Sequence, residues 1–451
     1  VRRAVAPLLA VTVALVLADS AVVTLALPDI LVHLDATVGQ VAWVLISFNL
    51  VLGLGAVPTA MAAARARPQV LGAVGIAVFA AASAWCAVAG SIDVLIAARC
   101  IQAVGGALAL VGCLELLVAK WGERRGVAAW VTAGVIGTAA GPVAGGLLTQ
   151  AISWQAIFVV QVPFAVLAVP AALAVAAVPE QEPDRHRPAL RPNLTLALLS
   201  AALTAALFLL VLLLVQGWRH SPATAALTVS VVPIAALAAG PLARLLRTPP
   251  QVEVGVGCFL VAGGLVALAI PPSSHLAWTV APQALVGLGL GLTVDRLTAQ
   301  AMELRLPRAR HAGWTIGARH VGVVVGLAIL TPVFTADLQD AQEPAEQAIT
   351  ALVIDAPLRA EDKIAVARAL GDELADQQGQ VPDLHPAFAS LDLAASEQPA
   401  AEQLERDLDE QLERAATRAF RDSFLIGAGL ALLALLTVVL GAVRPRSRET
   451  A

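Results

Sequence analysis

Twelve apolar stretches, each about the 20 residues that cross a hydrocarbon layer as helix, run through this chain at roughly 5–27, 41–62, 70–90, 94–118, 126–148, 155–177, 194–216, 222–243, 252–270, 278–300, 313–335 and 422–443. A backbone in lipid has to satisfy its own amides and carbonyls, so each stretch is expected to be a transmembrane α-helix. Pro58, Pro142, Pro163 and Pro233 fall inside them. They would argue against helix in water, but neighbouring helices make them tolerable in a membrane span. With 58% of 451 residues hydrophobic and 14% charged, and a mean hydropathy of +0.80, the chain lies far from soluble domains, which carry about 25% charged residues.

The connections alternate in charge. Arg2 and Arg3, then Arg65 and Arg67, Lys120, Arg124 and Arg125, Arg185, Arg187 and Arg191, Arg244 and Arg247, Arg305, Arg308 and Arg310, and finally Arg444, Arg446 and Arg448 mark the amino terminus, every second connection and the tail; the short alternate connections hold only Arg219. By the positive-inside rule both termini are expected in the cytoplasm, with an even number of spans. Trp121, Trp154, Trp218 and Trp278 sit at span ends, where an aromatic belt is expected. The opening "VRRAVAPLLAVTVALVLADSA" has the basic and apolar regions of a signal peptide. The apolar pattern continues to Leu27, however, and cleavage near Ser20 would spoil the charge alternation, so span 1 is expected to be retained.

Residues 336–421 are different, with 19 Asp and Glu against 7 Lys and Arg. They follow an odd span and are expected outside. In "AEDKIAVARALGDELADQQ" and "AAEQLERDLDEQLERAATRAF" the apolar positions, among them Leu404, Leu408, Leu412 and Ala416, recur at helical spacing, which predicts a small helical cap with one apolar stripe per helix. Cys86, Cys100, Cys113 and Cys258 all lie in apolar runs without a CxxC spacing or a neighbouring His cluster, so neither a disulfide framework nor a metal site is expected.

Several motifs resemble the drug:proton antiporters of the major facilitator superfamily, in particular their fourteen-helix type. "DSAVVTLALPDI" (19–30) is similar to that family's first-helix signature through Asp19, Ala26, Leu27 and Pro28, with Thr24 at the usual Asn position. "WVLISFNL" (43–50) looks like the start of its second helix, with Phe48 for Tyr, and "RCIQAVGGA" (99–107) like its fourth-helix motif. "GTAAGPVAGGLLTQAISWQAIFVVQVP" (137–163) resembles the antiporter motif of the fifth helix and the segment after it, with Gln155, Ala156 and Gln161 replacing the usual Arg, Trp and Asn. "LLVQGWRHSPATAALTVSVVP" (213–233) and "GARHVGVVVGLAI" (317–329) resemble the ninth-to-tenth junction and the penultimate helix. About nine-tenths of the chain is covered. The two extra central helices of the fourteen-helix type are missing. The acidic latch of the second loop is missing too: "AMAAARARPQVLG" (60–72) carries no Asp, and "GPLARLLRTPP" (240–250) lacks its acid as well.

The resemblance implies an all-α membrane protein of the major facilitator fold: two six-helix bundles, 1–177 and 194–451, joined by a cytoplasmic linker at 178–193, with the acidic extracytoplasmic insertion 336–421 between spans 11 and 12. Asp19 in span 1 and Arg99 in span 4 fall at nearly one depth, about 12 and 9 Å from the same surface at 1.5 Å per residue, which predicts an intramembrane pair. Burial favours the neutral form of a carboxylate and a nearby Arg the ionised form. A carboxylate whose distance from Arg99 changes between conformations can therefore load a proton on one side and release it on the other. The alternative is a fixed Asp19–Arg99 pair that only holds two spans together. Thr24, Asn49, Gln102, Gln161, Gln216 and Arg319 are candidates for the cavity wall. Arg319 and His320 lie one turn into span 11; Glu115, Asp295 and Arg296 read as interface charges. Gly137, Gly141, Pro142, Gly145 and Gly146 give span 5 a small-residue face and a place to bend.

These features predict a proton-coupled exporter of a small organic compound, not an enzyme, working as a monomer in the plasma membrane with no cofactor, metal or nucleic-acid partner. The sequence has no GxxxxGK[ST] phosphate loop, which turns the expectation towards a proton gradient as the energy source. Absence of Tyr and an aromatic content of 4% favour a narrow substrate range. The missing latch favours a rival reading, a non-transporting sensor or assembly subunit that binds a partner through its outer cap. The topology makes a direct prediction: cysteines introduced as Arg65→Cys and Arg187→Cys react with an impermeant thiol reagent only from the cytoplasm and Gln380→Cys only from outside. Labelling of Gln380→Cys from the cytoplasm would break the span count.

Overall fold

The computed structural model describes residues 4–63, 65–177, 186–247, 249–302, 305–376, 384–389 and 397–443. Arg2, Arg3, Arg185, Arg444, Arg446 and Arg448, the first half of the expected linker (178–185), and 377–383 and 390–396 of the acidic segment lie outside these residues. Among the described residues, eleven helices are long and apolar enough to cross a membrane, and twelve when the bent helix Glu123–Ala151 is taken as one span. They are span 1 (Val5–His33), span 2 (Val38–Ala63), span 3 (Pro68–Ala87), span 4 (Ile92–Trp121), span 5 (Glu123–Ala151), span 6 (Ala156–Leu173), span 7 (Leu190–Gly217), span 8 (Pro222–Leu245), span 9 (Pro250–Ala269), span 10 (Ala277–Met302), span 11 (Arg308–Asp355) and span 12 (Gln398–Val443). Each coincides with one of the apolar stretches of the sequence. The face on which odd-numbered spans begin carries the basic connections and is called the basic face here; the opposite one is the cap face.

Span 5 bends by 41° between Glu123–Thr138 and Ala140–Ala151. Pro142 supplies the cause: it has no N–H for the carbonyl of Thr138, four residues earlier, and its ring crowds that turn. Small residues then bring the bent helix close to its neighbours. A Cβ added at Gly137 would lie 2.1 Å from the Ala14 carbonyl oxygen, at Gly141 2.8 Å from Ala21 Cβ, and at Gly145 2.3 Å from the Val22 carbonyl oxygen. These three positions, four residues apart, form one stripe against span 1. Gly146 leaves the stripe and approaches span 8, where a Cβ would lie 2.2 Å from that of Ala226. Span 7 is irregular in another way, with two π-helical turns at Ala205–Leu209 and Leu213–Gly217.

Spans 11 and 12 do not stop at the membrane. At 48 and 46 residues they run about 70 Å, more than twice the hydrocarbon thickness of about 30 Å, and their distal turns carry the cap. Ile349 and Val353 of span 11, Val366 and Leu370 of the helix Ala360–Asp376, Phe388, and Leu404, Leu408 and Leu412 of span 12 form an apolar core separate from that of the spans. Leu404, Leu408, Leu412 and Ala416 are all buried, so the stripe expected from the sequence is present, on a helix continuous with the last span. The cap is tied down near its base. Trp218 Nε1 donates to Thr417 Oγ1 at 2.9 Å, Arg219 pairs with Asp409 at 2.6 Å, and Ser274 donates to the Glu413 carboxylate.

Two of the four tryptophans expected in an aromatic belt are buried instead. Trp121 and Trp278 are exposed, but Trp218 is buried against the cap stalk and Trp154 packs edge-on against Phe158, 6.3 Å between ring centroids. Position at a span end could not distinguish a ring facing lipid from one closing an inter-helix corner.

The cap has one acid-sensitive joint. Glu397, directly before span 12, accepts from the Arg359 backbone N–H at 2.9 Å and from Arg359 Nε at 2.8 Å. The backbone hydrogen bond, opposed by burial and assisted by the Arg359 side chain, holds the Glu397 carboxyl below its usual range. A group depressed in the folded state stabilises it above the unfolded pKa and loses that contribution as pH falls through the folded value. Amide exchange at 398–412 should therefore accelerate below the normal carboxylate range in the wild type. In Glu397→Gln exchange is faster at neutral pH and loses this acid dependence; an unchanged acid profile in that variant would contradict the assignment.

Candidate functional site

Asp19 and Arg99 form an ion pair, and both side chains are completely buried. The carboxylate is fully used. Oδ2 accepts from Arg99 Nη1, and Oδ1 accepts from Gln161 Nε2 at 2.9 Å and Gln102 Nε2 at 3.2 Å. Arg99 in turn donates through Nη1 to Gln102 Oε1 at 2.7 Å and through Nε to the Val44 carbonyl at 3.3 Å. Its guanidinium carbon stands 4.1 Å from the centre of the Phe48 ring, a cation–π arrangement that helps to hold charge away from water. Ser83 of span 3 completes the set: its Oγ accepts from Gln102 Nε2 at 2.8 Å and donates to the Phe79 carbonyl at 2.8 Å. Five polar side chains on spans 1, 3, 4 and 6 thus form one closed network inside the amino-terminal spans.

The cavity lies beside this network. It has two lobes. One is lined by Leu17, Ser20, Ala21 and Thr24 of span 1, Leu45 and Asn49 of span 2, Ser200, Leu203, Thr204, Leu207 and Phe208 of span 7, and Arg319, His320 and Val323 of span 11. The other runs between spans 5, 7, 8 and 10 and is lined by Val135, Pro142, Val232, Pro233, Leu290, Val294 and Asp295, among others. Thr138, Leu203, Leu207 and Arg319 border both. Span 1 therefore shows Ser20 and Thr24 to the cavity and Asp19 to the interior of its own bundle.

The sequence expectations divide accordingly. Thr24, Asn49 and Arg319 border the first lobe. Gln102 and Gln161 do not; they serve the Asp19 carboxylate, because an amide can satisfy a buried ion where the hydrocarbon around it cannot. Gln216 borders neither lobe and sits half-buried in the second π-helical turn. Asp295, read from sequence as an interface charge, is in the cavity wall, while its neighbour Arg296 pairs with Glu253 at 2.6 Å. Ser20, Thr138 and His320 were not singled out for the wall, nor Ser83 for the network. Ser83, the sole polar side chain in the apolar run 70–90, could have been flagged on that ground.

One hydrogen-bonded chain crosses the cavity. Ser20 Oγ donates to Asn49 Oδ1 at 3.3 Å, Asn49 Nδ2 donates to the Leu45 carbonyl at 2.8 Å, and His320 Nδ1 stands 2.7 Å from the same Asn49 Oδ1. With an amide oxygen as acceptor, Nδ1 carries the hydrogen. This links spans 1 and 2 to span 11.

Towards the basic face the same spans close on each other. A Cβ on Gly313 would lie 2.8 Å from both the Ala56 carbonyl oxygen and Ala60 Cβ, and Gly317 approaches the Gly53 carbonyl. Arg308, at the start of span 11, reaches Glu115 of span 4 at 3.7 Å and Glu123 of span 5 at 3.5 Å. These contacts stand where the sequence lacks the acidic latch of the second loop. On the cap side span 5 meets span 8, with Gln150 Oε1 accepting from the Ala223 backbone N–H at 2.8 Å.

A family model described as Major Facilitator Superfamily matches residues 9–331. The chain is 33% identical over 169 residues to the Tetracenomycin C resistance and export protein of Streptomyces glaucescens, covering 37% of this chain and 31% of that protein. It is 31% identical over 159 residues to the Multidrug efflux pump LfrA of Mycolicibacterium smegmatis, covering 34% and 32%. The chain thus spans less than a third of the length of these curated relatives. In fold it is similar to the crystal structure of a bacterial homolog of the human lysosomal transporter Spinster in an inward-facing, unoccupied conformation, with a TM-score of 0.63, 16% identity, and coverage of 98% of this chain and 99% of that one.

The Gly313 contact makes the closure testable. Gly313→Val cannot be accommodated without separating spans 2 and 11, so it should raise the rate at which Ser20→Cys is labelled from the basic face several-fold. An unchanged rate in a folded variant would show that these spans do not form the seal.

Proposed function

The chain belongs to the Major Facilitator Superfamily, and from that premise we propose that it is a proton-coupled exporter of a small organic compound. In this reading the halves 1–177 and 194–451 rock about the cavity, with both termini in the cytoplasm of a cell whose plasma membrane holds the protein. The distant relatives named for resistance and export support the direction of transport. One observation carries the coupling: a buried Asp19 whose two oxygens take all their hydrogen bonds from Arg99, Gln102 and Gln161, one residue away from the cavity wall at Ser20. An added proton would remove an acceptor that these donors share, so protonating Asp19 and keeping the network closed exclude each other. Loading the carboxylate then goes with loosening span 1 from spans 4 and 6, and span 1 is also the helix that shows Ser20 and Thr24 to the cargo.

The sensor reading rested on the missing latch acid. Arg308 with Glu115 and Glu123 supplies a different ionic closure between the same two groups of spans, which favours transport. The structural alternative, a pair that only fastens spans 1 and 4, makes a different forecast from coupling. Under coupling, Asp19→Asn retains the fold but loses gradient-driven export, because the amide stays polar and keeps the size while the titration is gone. Arg99→Ala is worse for folding, by about 3–5 kcal/mol, since it strands a buried carboxylate. Adding Asp19→Asn to it recovers part of that stability and none of the transport. Gradient-dependent transport at the wild-type rate by Asp19→Asn, measured in inverted vesicles with a panel of compounds, would sink the coupling role.

A further inference from the structure

Arg319 is the one cavity residue whose charge cannot be switched off. A guanidinium stays protonated at any pH a cell meets, whereas a carboxylate in an apolar wall can shed its charge by taking up a proton. Arg319 borders both lobes. Among the described residues it makes no hydrogen bond or ion pair; Asp295, in the wall of the second lobe, is the acid whose field reaches it. The first lobe has no carboxylate among its lining residues. Asp19, the nearest acid of span 1, is spent on Arg99.

An unpaired cation in a membrane cavity is costly until a counter-ion arrives, and a guanidinium offers a planar fork of N–H donors that fits a carboxylate through two parallel bonds. The second lobe fixes the rest of the ligand. Leu203, Leu207, Val232, Leu290 and Val294 line it, and no aromatic ring does. We infer that the cargo is an aliphatic organic acid: its carboxylate sits on Arg319 and its hydrocarbon body lies between spans 5, 7, 8 and 10. This rests on the export reading for the word cargo, but the binding itself needs no gradient. Asp295 repels such a ligand and tunes its release.

Matched eight-carbon probes test the inference: octanoate, octylammonium and octanol, offered at neutral pH to the purified full chain in nanodiscs, with empty nanodiscs as blank. Radiolabelled octanoate should bind saturably and be displaced by unlabelled octanoate far better than by octanol or octylammonium. Arg319→Gln should weaken that binding at least tenfold, about what losing one bidentate charged contact produces. Arg319→Lys, which keeps the charge without the fork, should fall between, and Asp295→Asn should bind at least as tightly as wild type. The unfolding midpoint of each variant reports whether it is folded, and the Lys and Asn variants keep the test open if the Gln variant is not. Saturable octylammonium binding lost in Asp295→Asn would overturn the inference in favour of a cation site; absence of saturable octanoate binding, or binding indifferent to Arg319, would overturn it outright. Gradient-driven transport is measured separately, so a failure of one reading leaves the other standing.

Discussion

A charge pair buried in hydrocarbon is the constraint around which the amino-terminal spans are arranged. A bare charge at full burial is costly for either residue, and Asp19 and Arg99 offset that cost for each other. Together they still need partners for their remaining donors and acceptors, and the fold supplies most of these from four directions: Gln102 one turn along span 4, Gln161 from span 6, the Val44 carbonyl from span 2 and the Phe48 ring facing the guanidinium; Arg99 Nη2 is left without a hydrogen bond among the described residues. Spans 1, 2, 4 and 6 are thereby set in one register. Span 5 follows, because its glycine stripe at 137, 141 and 145 lies against the backbone and the small Ala21 side chain of span 1. The orientation of span 1 fixes the cavity, since the face left over after Asp19 is buried is the one bearing Ser20 and Thr24.

The contact between the amino- and carboxy-terminal spans is of another kind. Glycines on span 11 against alanines on span 2 and the shared hydrogen bonds of Ser20, Asn49 and His320 can be separated without stranding a charge, and Arg308 with its two glutamates keeps some exposure to water, which Asp19 and Arg99 do not. Arg308 is mostly covered, but Glu123 is largely exposed, so that part of the ionic closure is screened by water and weak. The rocking proposed above would need this distribution: strong polar bonding within one bundle and dissociable contacts between bundles. The bend at Pro142 and the first π-helical turn of span 7 lie beside the cavity.

Most of the architecture was legible in the sequence because hydrophobic length and loop charge are both written residue by residue. The pairing of Asp19 with Arg99 was legible for the same reason, through depth: two charges counted from the same membrane surface fall at one level. Which face of a helix a residue occupies was less so. Asp19 and Ser20 are adjacent in sequence, yet one is sealed in the bundle and the other lines the cavity. Gln102 and Gln161 read like cavity amides until the carboxylate they serve is located. Asp295 sits near a span end and reads as an interface charge; only the packing of spans 5, 8 and 10 turns it inward. In the cap the amphipathic stripe of Leu404, Leu408 and Leu412 was visible, but apolar periodicity gave no sign that this helix continues unbroken into span 12, since no Pro or Gly marks either choice.

In the proposed exchange cycle, protonation of Asp19 opens the network that holds span 1. The most direct measurement is the distance distribution between spin labels on spans 2 and 11 at the basic face, recorded from neutral to acid pH for the wild type and for Asp19→Asn. The wild type should show a pH-dependent shift between closed and open populations, and Asp19→Asn a distribution that no longer responds to pH. The same pH-dependent shift in both proteins would contradict this role of Asp19.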